Sequence, residues 1–539
     1  MAWPLALYAA LSLVFWGPWV LDDPNSTLLA ANDIDPSAYL WFFSWWPHAL
    51  GNGLDLFHTN AIFVPEGYNL AWVTSMPGPS FLLAPVTLGL GPEITFNLVS
   101  FAAPALAAWT AYLLCRRITG SVPASLAGGY VFGFSPYMLS QLRGAPQLAL
   151  IALVPVMVLL VLRHVEGSMS DRRFALALTA VLTAQILTST EILATSVLFG
   201  GLVLLVAYAL YAELRPRLRR TALMVAAAIA GTAVLASPLL ANVLSGGRTL
   251  PEQALTNFPT DLLSFVVPGP LVAAAPGRLD LGEPTWASGA AYIGIPLLVV
   301  LAVLAWTRRD ERGARLAAAA FAITAVAALG PALHVAGHDT GIPMPWAALD
   351  GLPLLRYAIP LRFPAFTFLA AGVMLAMWLA RGRGAARWAA ALVGIALILP
   401  AVGNSDWHTE LTDLPFFTEG GYRDRLTDKD RVLTVPTWGH NMRWQVQADF
   451  SFALATGYVG AFPKSYLRYR AWRDLLGSPF GREAIPPEAE LRRFIRAKGV
   501  TAIVVERTDT RGRELFRSLG VPPEETGGVL LYRLSRPGT

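Results

Sequence analysis

The chain has 539 residues, of which 55% are hydrophobic and only 14% charged, and its mean hydropathy is +0.49. So much apolar sequence exceeds what one soluble core can bury, which excludes a soluble domain and indicates an integral membrane protein. The net charge of +5 comes from cations clustered between apolar segments, a pattern typical of membrane topology, so we expect no nucleic acid among the partners. The single cysteine, Cys115, excludes a disulfide within the chain.

Eleven apolar segments follow one another along the chain, separated alternately by basic and non-basic loops. Because Lys and Arg are enriched in cytoplasmic loops, we place the basic loops and the N-terminus in the cytoplasm and the C-terminus outside. The predicted spans are Trp3 to Leu21, Thr95 to Cys115, Ser121 to Leu142, Ala145 to Leu162, Phe174 to Ser189, Ile192 to Tyr211, Thr221 to Leu244, Ser288 to Trp306, Leu316 to Val335, Phe363 to Ala380 and Trp388 to Val402.

The first outer loop, residues 22–94, is acidic and aromatic, and the stretch from Leu21 to Ser80 contains no Lys or Arg. Two apolar segments in this loop are too short to count as further spans. Pro77 to Leu90 contains internal prolines and is predicted as a re-entrant or interfacial helix. The aromatic run from Tyr39 to Trp46 is predicted as a helix at the level of the lipid headgroups, where amphipathic rings are common.

The segment 404–539 differs from residues 1–403, since it is charged and lacks further spans. Short alternating elements predict strands at 431–437, 501–505 and 529–534, with helices at 488–498 and 511–519. We therefore expect an all-α polytopic membrane domain, residues 1–403, followed by a small extracytoplasmic α/β domain. Three aromatic residues of this tail are candidates for stacking on sugars, although isolated aromatics are more often core: Trp438, Trp444 and Tyr458.

Several short motifs occur in a characteristic order along the membrane part. They are Asp35-Pro-Ser-Ala-Tyr-Leu-Trp, Trp45-Trp-Pro-His-Ala-Leu, Phe63-Val-Pro-Glu-Gly-Tyr-Asn-Leu-Ala-Trp, Phe134-Ser-Pro-Tyr, Gln185 with Glu191, Asp261-Leu-Leu-Ser-Phe-Val-Val-Pro, Ala291-Tyr-Ile-Gly and Leu361-Arg-Phe. Their order and topology resemble those of multispanning GT-C superfamily glycosyltransferases of bacteria, chiefly uncharacterised actinobacterial members. The resemblance implies a GT-C-like membrane fold and a transferase that takes a sugar from a polyprenyl-phosphate carrier on the outer face.

The resemblance also implies that an acidic residue of the first outer loop acts as the base, and Asp35 is the matching position. The chemistry favours the same residue, because an acceptor hydroxyl needs a carboxylate within hydrogen-bond reach to take its proton. Asp33 is the reserve candidate. The alternative is that both residues only cap the following helix, since Asp is a favoured N-cap.

A lipid phosphate leaving group needs cations where its charge develops. Three arginines lie in otherwise cation-poor outer loops, against the positive-inside tendency. We predict phosphate binding by Arg143 and Arg362, and by Arg356 as a weaker candidate. Anchoring at the membrane interface is the alternative for each, and for Arg356 it is the favoured one.

Four further residues are candidates for substrate binding. Glu191 lies in the turn of a helical hairpin close to the apolar region, where a carboxylate often faces a cavity, although a solvated turn explains it equally well. Gln147 can supply a hydrogen bond to sugar or phosphate. Glu283 and Tyr292 flank the end of the long outer loop 245–288, which is predicted to cover the lipid site as a lid.

We expect no metal and no cofactor. His334 and His338 have i, i+4 spacing but lie in loop-like sequence, and the carboxylates of the first outer loop leave Mg²⁺ or Mn²⁺ open. No phosphate-cradling or dinucleotide-binding motif is present in the sequence, so a nucleotide-sugar donor is not expected.

The predicted function is transfer of a sugar from a polyprenyl-phosphate donor to an acceptor outside a bacterial plasma membrane. The acceptor class, whether glycan, lipid or protein, stays open, as does the sugar. A flippase or transporter of a lipid-linked saccharide is the main alternative, although no clear internal repeat is present in the sequence. A polysaccharide polymerase or ligase is the third hypothesis, and it does not require Asp35 as base.

Overall fold

The computed structural model describes residues 2–245, 258–275, 281–284, 287–349, 351, 355, 358–382, 384–403, 405–435, 439–460, 462–476 and 486–534. The chain forms two compact units, each assembled from three separate segments. The helical unit comprises Met1–Asp22, Leu98–Ala236 and Gln253–Trp407. The mixed unit comprises Asp23–Asn97, Ser237–Glu252 and His408–Thr539. The first outer loop therefore packs with the C-terminal tail, and the division into domains 1–403 and 404–539 stays a prediction.

The helical unit consists of apolar helices rich in Ala, Leu and Val. They are Trp3–Val20, Pro92–Thr119 (which begins in the mixed unit), Val122–Gly133, Pro136–Gln141, Pro146–Ala149, Leu153–Val165, Asp171–Ile186, Thr190–Leu210, Arg215–Leu235, Ile295–Thr307, Arg312–Ala328, Pro364–Ala380 and Ala385–Leu397. Among the described residues, six helical segments are long and apolar enough to cross a membrane, by length and composition. The chain is a membrane protein, and the number of eleven spans stays a prediction.

The segment predicted as one span from Ser121 to Leu142 is broken into two helices, because Pro136 begins a new helix after Ser135. The first of them, Val122–Gly133, packs closely on Pro364–Ala380. A Cβ atom at Gly128 would lie 2.5 Å from the carbonyl oxygen of Gly372, so only glycine allows this approach of the two backbones.

The predicted span from Leu316 to Val335 is wrong at its C-terminal end. The helix ends at Ala328, and the chain continues as an antiparallel hairpin of Ala332–Val335 with His338–Pro343. Gly330, with φ of +76°, and the following Pro331 end the helix, since neither continues an α-helix. His334 and His338 lie in this hairpin and are not on one face of a helix.

The mixed unit contains a five-stranded sheet with the spatial order Glu524–Thr526, Val529–Arg533, Ala502–Glu506, Arg431–Val435 and Ala453–Leu454. The last three strands are parallel neighbours, and the first two form an antiparallel hairpin. Gly527 and Gly528 make its two-residue turn, where both φ angles are positive. The predicted strands and helices of the tail lie close to their predicted bounds, and the strands at 453–454 and 524–526 were not predicted.

The mixed unit also contains helices. They are Ile34–Gly51, Pro77–Leu82, Ala84–Leu90, Ser237–Ser245, Pro415–Thr418, His440–Gln447, Arg470–Leu476, Glu488–Lys498 and Thr510–Arg517. Two-residue strand pairs join Thr27–Leu28 to Thr409–Glu410 and His58–Thr59 to Tyr68–Asn69. The apolar core combines side chains of the first outer loop with side chains of the tail.

The helix predicted from Tyr39 to Trp46 at the membrane surface is longer, Ile34–Gly51, and its aromatic rings are buried inside the mixed unit. Trp41 is fully buried and donates its indole N–H to Gln445 Oε1 at 2.7 Å. The rings therefore serve as core, and the prediction of an interfacial aromatic face is wrong. The cause is packing against the tail, which local sequence does not reveal.

Candidate functional site

Asp33 lies at the N-terminus of the helix Ile34–Gly51, but its side chain does not cap that helix. The cap comes from Asn32, whose Oδ1 accepts a hydrogen bond from the Ile34 amide at 3.0 Å. The carboxylate of Asp33 instead accepts from His440, with Nδ1 and Oδ2 2.9 Å apart. For Asp33, the capping alternative is therefore wrong, because its oxygens are directed at a side chain of the tail.

The pair of Asp33 and His440 is mostly buried, with side chains 16% and 32% exposed. Burial opposes the charge of both groups. The hydrogen bond and the opposite charge of the partner outweigh burial, so the pKa of Asp33 is lowered and the pKa of His440 is raised. The pair therefore favours the charged form of each group more than water does.

Asp35 lies one half-turn further along and is exposed. Its Oδ1 accepts a hydrogen bond from the Tyr458 hydroxyl at 2.8 Å. Burial and the charge of Asp35 raise the pKa of Tyr458, so its phenol stays protonated and continues to donate. This hydrogen bond holds the carboxylate in a fixed orientation while leaving it accessible.

His440 and Tyr458 are placed by the segment that packs on the first outer loop. The helix His440–Gln447 begins after Gly439, whose φ is +76° and whose Cα would carry a Cβ only 3.2 Å from the Cα of Ile34. Within that helix, Arg443 is 6% exposed and bonds Glu93 and Asp413 at 3.1 and 2.7 Å. These contacts fix the helix that presents His440 to Asp33.

Sequence reasoning missed the role of His440, and for the tail aromatics it favoured a core position over sugar stacking. No local signal marks His440, since its partner lies more than 400 residues earlier. Trp444, a candidate for sugar stacking, is 2% exposed and belongs to the core. Tyr458 contacts Asp35, whereas Trp438 lies outside the described residues.

In the helical unit, Arg362 forms an ion pair with Glu191. Arg362 ends the short 3₁₀ turn Pro360–Arg362, and Glu191 lies in the first turn of the helix Thr190–Leu210, which Ser189 caps through the Ile192 amide. Both side chains are about one-fifth exposed. The structure thus brings together two predicted site residues that are 171 positions apart.

Polar groups without hydrogen-bond partners lie in the same region of the sequence. One is Glu191 Oε1, the other oxygen of the ion-paired carboxylate. Gln185, fully buried at the end of the preceding helix, has neither amide atom bonded within the part of the chain that the structure describes. Gln147 Oε1 is likewise buried. Leaving a buried polar group unsatisfied costs about 1–3 kcal/mol, so such groups call for an explanation. A polar ligand that bonds them is one explanation.

Arg143 is 14% exposed, with its guanidinium 3.9 Å from Asp406 Oδ2. Arg143 and Asp406 line one small cavity of the helical unit, together with Leu271 and Trp407. The third predicted phosphate ligand, Arg356, lies outside the described residues.

Glu283 is braced by its own loop. Its carboxylate accepts hydrogen bonds from the Asp261 and Gly289 amides and the Ser264 hydroxyl. Burial raises its pKa despite these donors. Tyr292 is only 4% exposed. These contacts indicate that Glu283 holds the loop together, and substrate binding by Glu283 and Tyr292 stays a prediction.

No cluster of three or more His, Cys, Asp or Glu side chains that could hold a metal is found in the described ranges. His334 bonds the carbonyl of Ala332 through Nδ1 at 3.0 Å, and His338 is exposed. Metal dependence stays untested by this geometry.

The fold is similar to that of three solved GT-C glycosyltransferases. ArnT from Cupriavidus metallidurans bound to undecaprenyl phosphate matches over 99% of this chain and 98% of its own, with a TM-score of 0.54 and 12% identity. Arabinofuranosyltransferase AftD from Mycobacteria matches over 100% of this chain, which spans only 42% of AftD, with a TM-score of 0.59 and 14% identity. The third structure is the archaeal oligosaccharyltransferase AglB from Archaeoglobus fulgidus, in complex with an inhibitory peptide and a dolichol-phosphate. It matches over 94% of this chain and 69% of its own, with a TM-score of 0.50 and 11% identity.

The chain belongs to the family of the domain of unknown function DUF6311, whose model matches residues 5–402. No curated protein matches it in sequence. At 11–14% identity, the similarity to the three solved structures is one of fold.

Proposed function

We propose that this membrane protein is a glycosyltransferase that moves a sugar from a polyprenyl-phosphate donor to an acceptor outside a bacterial plasma membrane. The acceptor is a glycan, a lipid or a protein. Asp35 removes the proton of the acceptor hydroxyl as the new glycosidic bond forms and the bond from the anomeric carbon to the phosphate oxygen breaks. The proton passes to the carboxylate, and the polyprenyl phosphate leaves with the bonding electrons.

The observation that carries this proposal is the arrangement of Asp33 and Asp35. Two carboxylates stand side by side in an acidic loop, and each is held by a different tail residue. The Asp33 carboxylate is bonded by His440, whereas Asp35 is exposed and accepts a hydrogen bond from the Tyr458 phenol. A general base needs this combination of fixed direction and access.

Within the helical unit, we propose Arg362 as a ligand of a lipid phosphate, argued from that unit's own contacts. Arg362 now bonds a carboxylate, and its guanidinium binds phosphate oxygens with the same planar geometry. Glu191 therefore occupies Arg362 until a lipid phosphate competes for it. We propose a supporting role for Arg143, and hydrogen bonds from Gln147 and Gln185 to the sugar or the phosphate.

The test is sugar transfer by the purified protein in detergent, with a panel of short-chain polyprenyl-phosphate sugars as donors and EDTA in a parallel arm. Asp35→Asn should lower transfer or donor hydrolysis about 100-fold or more while donor binding persists. The matched control is Asp55→Asn, an exposed carboxylate of the same loop that bonds the Phe57 and His58 amides. It should retain turnover.

Two results would replace the proposal. Donor binding without turnover in native protein across the panel, combined with movement of the lipid-linked saccharide across vesicles, would establish a transporter. Turnover that is equal in native protein and Asp35→Asn would favour a polymerase or ligase that does not need this base.

A further inference from the structure

A cleft of about 420 Å³ opens in the helical unit, away from the residues discussed above. It lies where the helix Leu153–Val165 ends and where Asp171–Ile186 and Arg215–Leu235 begin. The side chains and backbone that line it are His164, Gly167, Ser168, Met169, Ser170, Asp171, Arg217 and Arg220. Its volume falls in the range of about 300–1,000 Å³ that is usual for small-molecule sites.

The wall of this cleft is fixed by one buried histidine. The side chain of His164 is 3% exposed, and its two nitrogens are both bonded, Nδ1 to Thr221 Oγ1 at 2.8 Å and Nε2 to Asp171 Oδ1 at 2.9 Å. Arg220 closes the network by donating to the other oxygen of Asp171 at 2.8 Å. Because three helices meet through these bonds, the cleft is preformed.

The charge that remains in the cleft is positive. Its single acidic residue, Asp171, is already matched by Arg220, and the nearby Glu166 is paired with Arg117. Arg217 is exposed and forms no ion pair with any residue that the structure describes. Arg172 and Arg173 add two further exposed guanidinium groups in the first turn of the next helix. A cation without a counter-ion beside a rigid polar cleft suits an anion.

We propose that this cleft binds the phosphate of an anionic phospholipid headgroup. Arg217 holds the phosphate oxygens, and the polar turn 167–170 surrounds the rest of the headgroup. A lipid is favoured over a soluble anion because the three helices are apolar beyond this point and exposed Leu176 and Leu223 follow the cleft residues on two of them. The loops beside this cleft, 163–173 and 215–220, are two of the basic loops predicted to face the cytoplasm, where anionic lipids meet basic pockets between helices. The inference does not depend on the transferase activity.

The experiment is lipid binding to the full chain, measured by native mass spectrometry with phosphatidylglycerol and phosphatidylcholine. Native protein should retain phosphatidylglycerol preferentially, and Arg217→Gln should weaken that binding about fivefold. Arg217→Lys, which keeps the charge, should weaken it less. The matched control is Arg309→Gln, in another basic loop, where the guanidinium packs on the Trp306 ring. It should leave binding unchanged.

Equal loss in Arg217→Gln and Arg309→Gln would overturn the proposal, because the attraction would then be diffuse. Equal retention of both lipids by the native protein would overturn it as well. Inorganic phosphate tests the source of the anion: if millimolar phosphate displaces phosphatidylglycerol completely, the cleft is a site for a soluble anion and the lipid assignment is wrong. Circular dichroism of each variant shows whether the fold is kept.

Discussion

The candidate carboxylates of the helical and mixed units have different hydrogen-bond partners. In the mixed unit, Asp33 and Asp35 are bonded by an imidazole and a phenol, which are groups that donate a hydrogen bond and can share a proton. In the helical unit, Glu191 is bonded by Arg362, a cation that keeps its charge at any pH of interest. The comparison teaches that the first arrangement suits proton transfer, whereas the second suits exchange of one anion for another.

The largest effect is expected from breaking the helical unit's ion pair. Arg362→Gln should weaken binding of polyprenyl phosphate about 100-fold, since it removes a fixed cation from the phosphate. Glu191→Gln should have the opposite effect and strengthen binding of polyprenyl phosphate, because it removes the competing negative charge and keeps the shape of the side chain. Titration of both variants with a short-chain polyprenyl phosphate measures the effect, and two changes of the same sign would refute exchange at Arg362.

The next effect is expected from the ion pair between Lys498 of the tail and Glu66 of the acidic loop, within the mixed unit. Lys498 is fully buried, donates to Glu66 Oε1 at 2.6 Å and lies 3.5 Å from the centre of the Tyr466 ring. Burial lowers its pKa, although Glu66 opposes this shift. Lys498→Met should cost about 2 kcal/mol, less than a fully buried pair because Glu66 is one-third exposed.

Thermal unfolding in detergent measures this loss of stability. Arg496→Met, at an exposed position of the same helix, is the control and should change the midpoint little. Similar midpoints for the two variants would mean that the buried ion pair does not stabilise the loop against the tail.

A smaller effect is expected from the phenol that orients the proposed base. Tyr458→Phe should lower the rate of transfer about tenfold, the value of one hydrogen bond to a charged group, and leave donor binding unchanged. Separate measurement of kcat and KM distinguishes this result from a structural defect. A change confined to KM would show that Tyr458 binds substrate instead of orienting Asp35.

The smallest effect is a change in pH dependence. The raised pKa of His440 stabilises the fold below about pH 6.5, its unfolded value, and this contribution disappears as pH rises through the raised value. The lowered pKa of Asp33 stabilises it above about pH 4 and is lost as pH falls through the lowered value. The difference in melting temperature between native protein and His440→Gln should therefore be largest between about pH 4 and 6.5 and should shrink above that range. A difference that is constant with pH would show that His440 acts by packing alone.

Much of the fold could be predicted because it depends on local patterns. Apolar runs predicted helices throughout the helical unit, and alternating residues predicted strands within two residues of those observed at 431–435, 502–506 and 529–533. The two errors have different causes, since the first overlooked a local signal that ends a helix and the second depends on neighbours in space. Gly330 and Pro331 turned a predicted span into a hairpin, and the rings of Ile34–Gly51 were predicted at a lipid surface although they pack against the tail.

The sequence by itself determined that this is a membrane protein with an acidic, cation-free first outer loop, because composition and the spacing of charges are local properties. It also singled out Asp33, Asp35, Glu191 and Arg362 by residue type and position. Only the tertiary structure decided their partners. Asp33 is bonded by His440 and Asp35 by Tyr458, whereas Glu191 and Arg362 pair with each other. Contacts between residues 171 to more than 400 positions apart depend on how distant segments pack, and no local pattern encodes that packing.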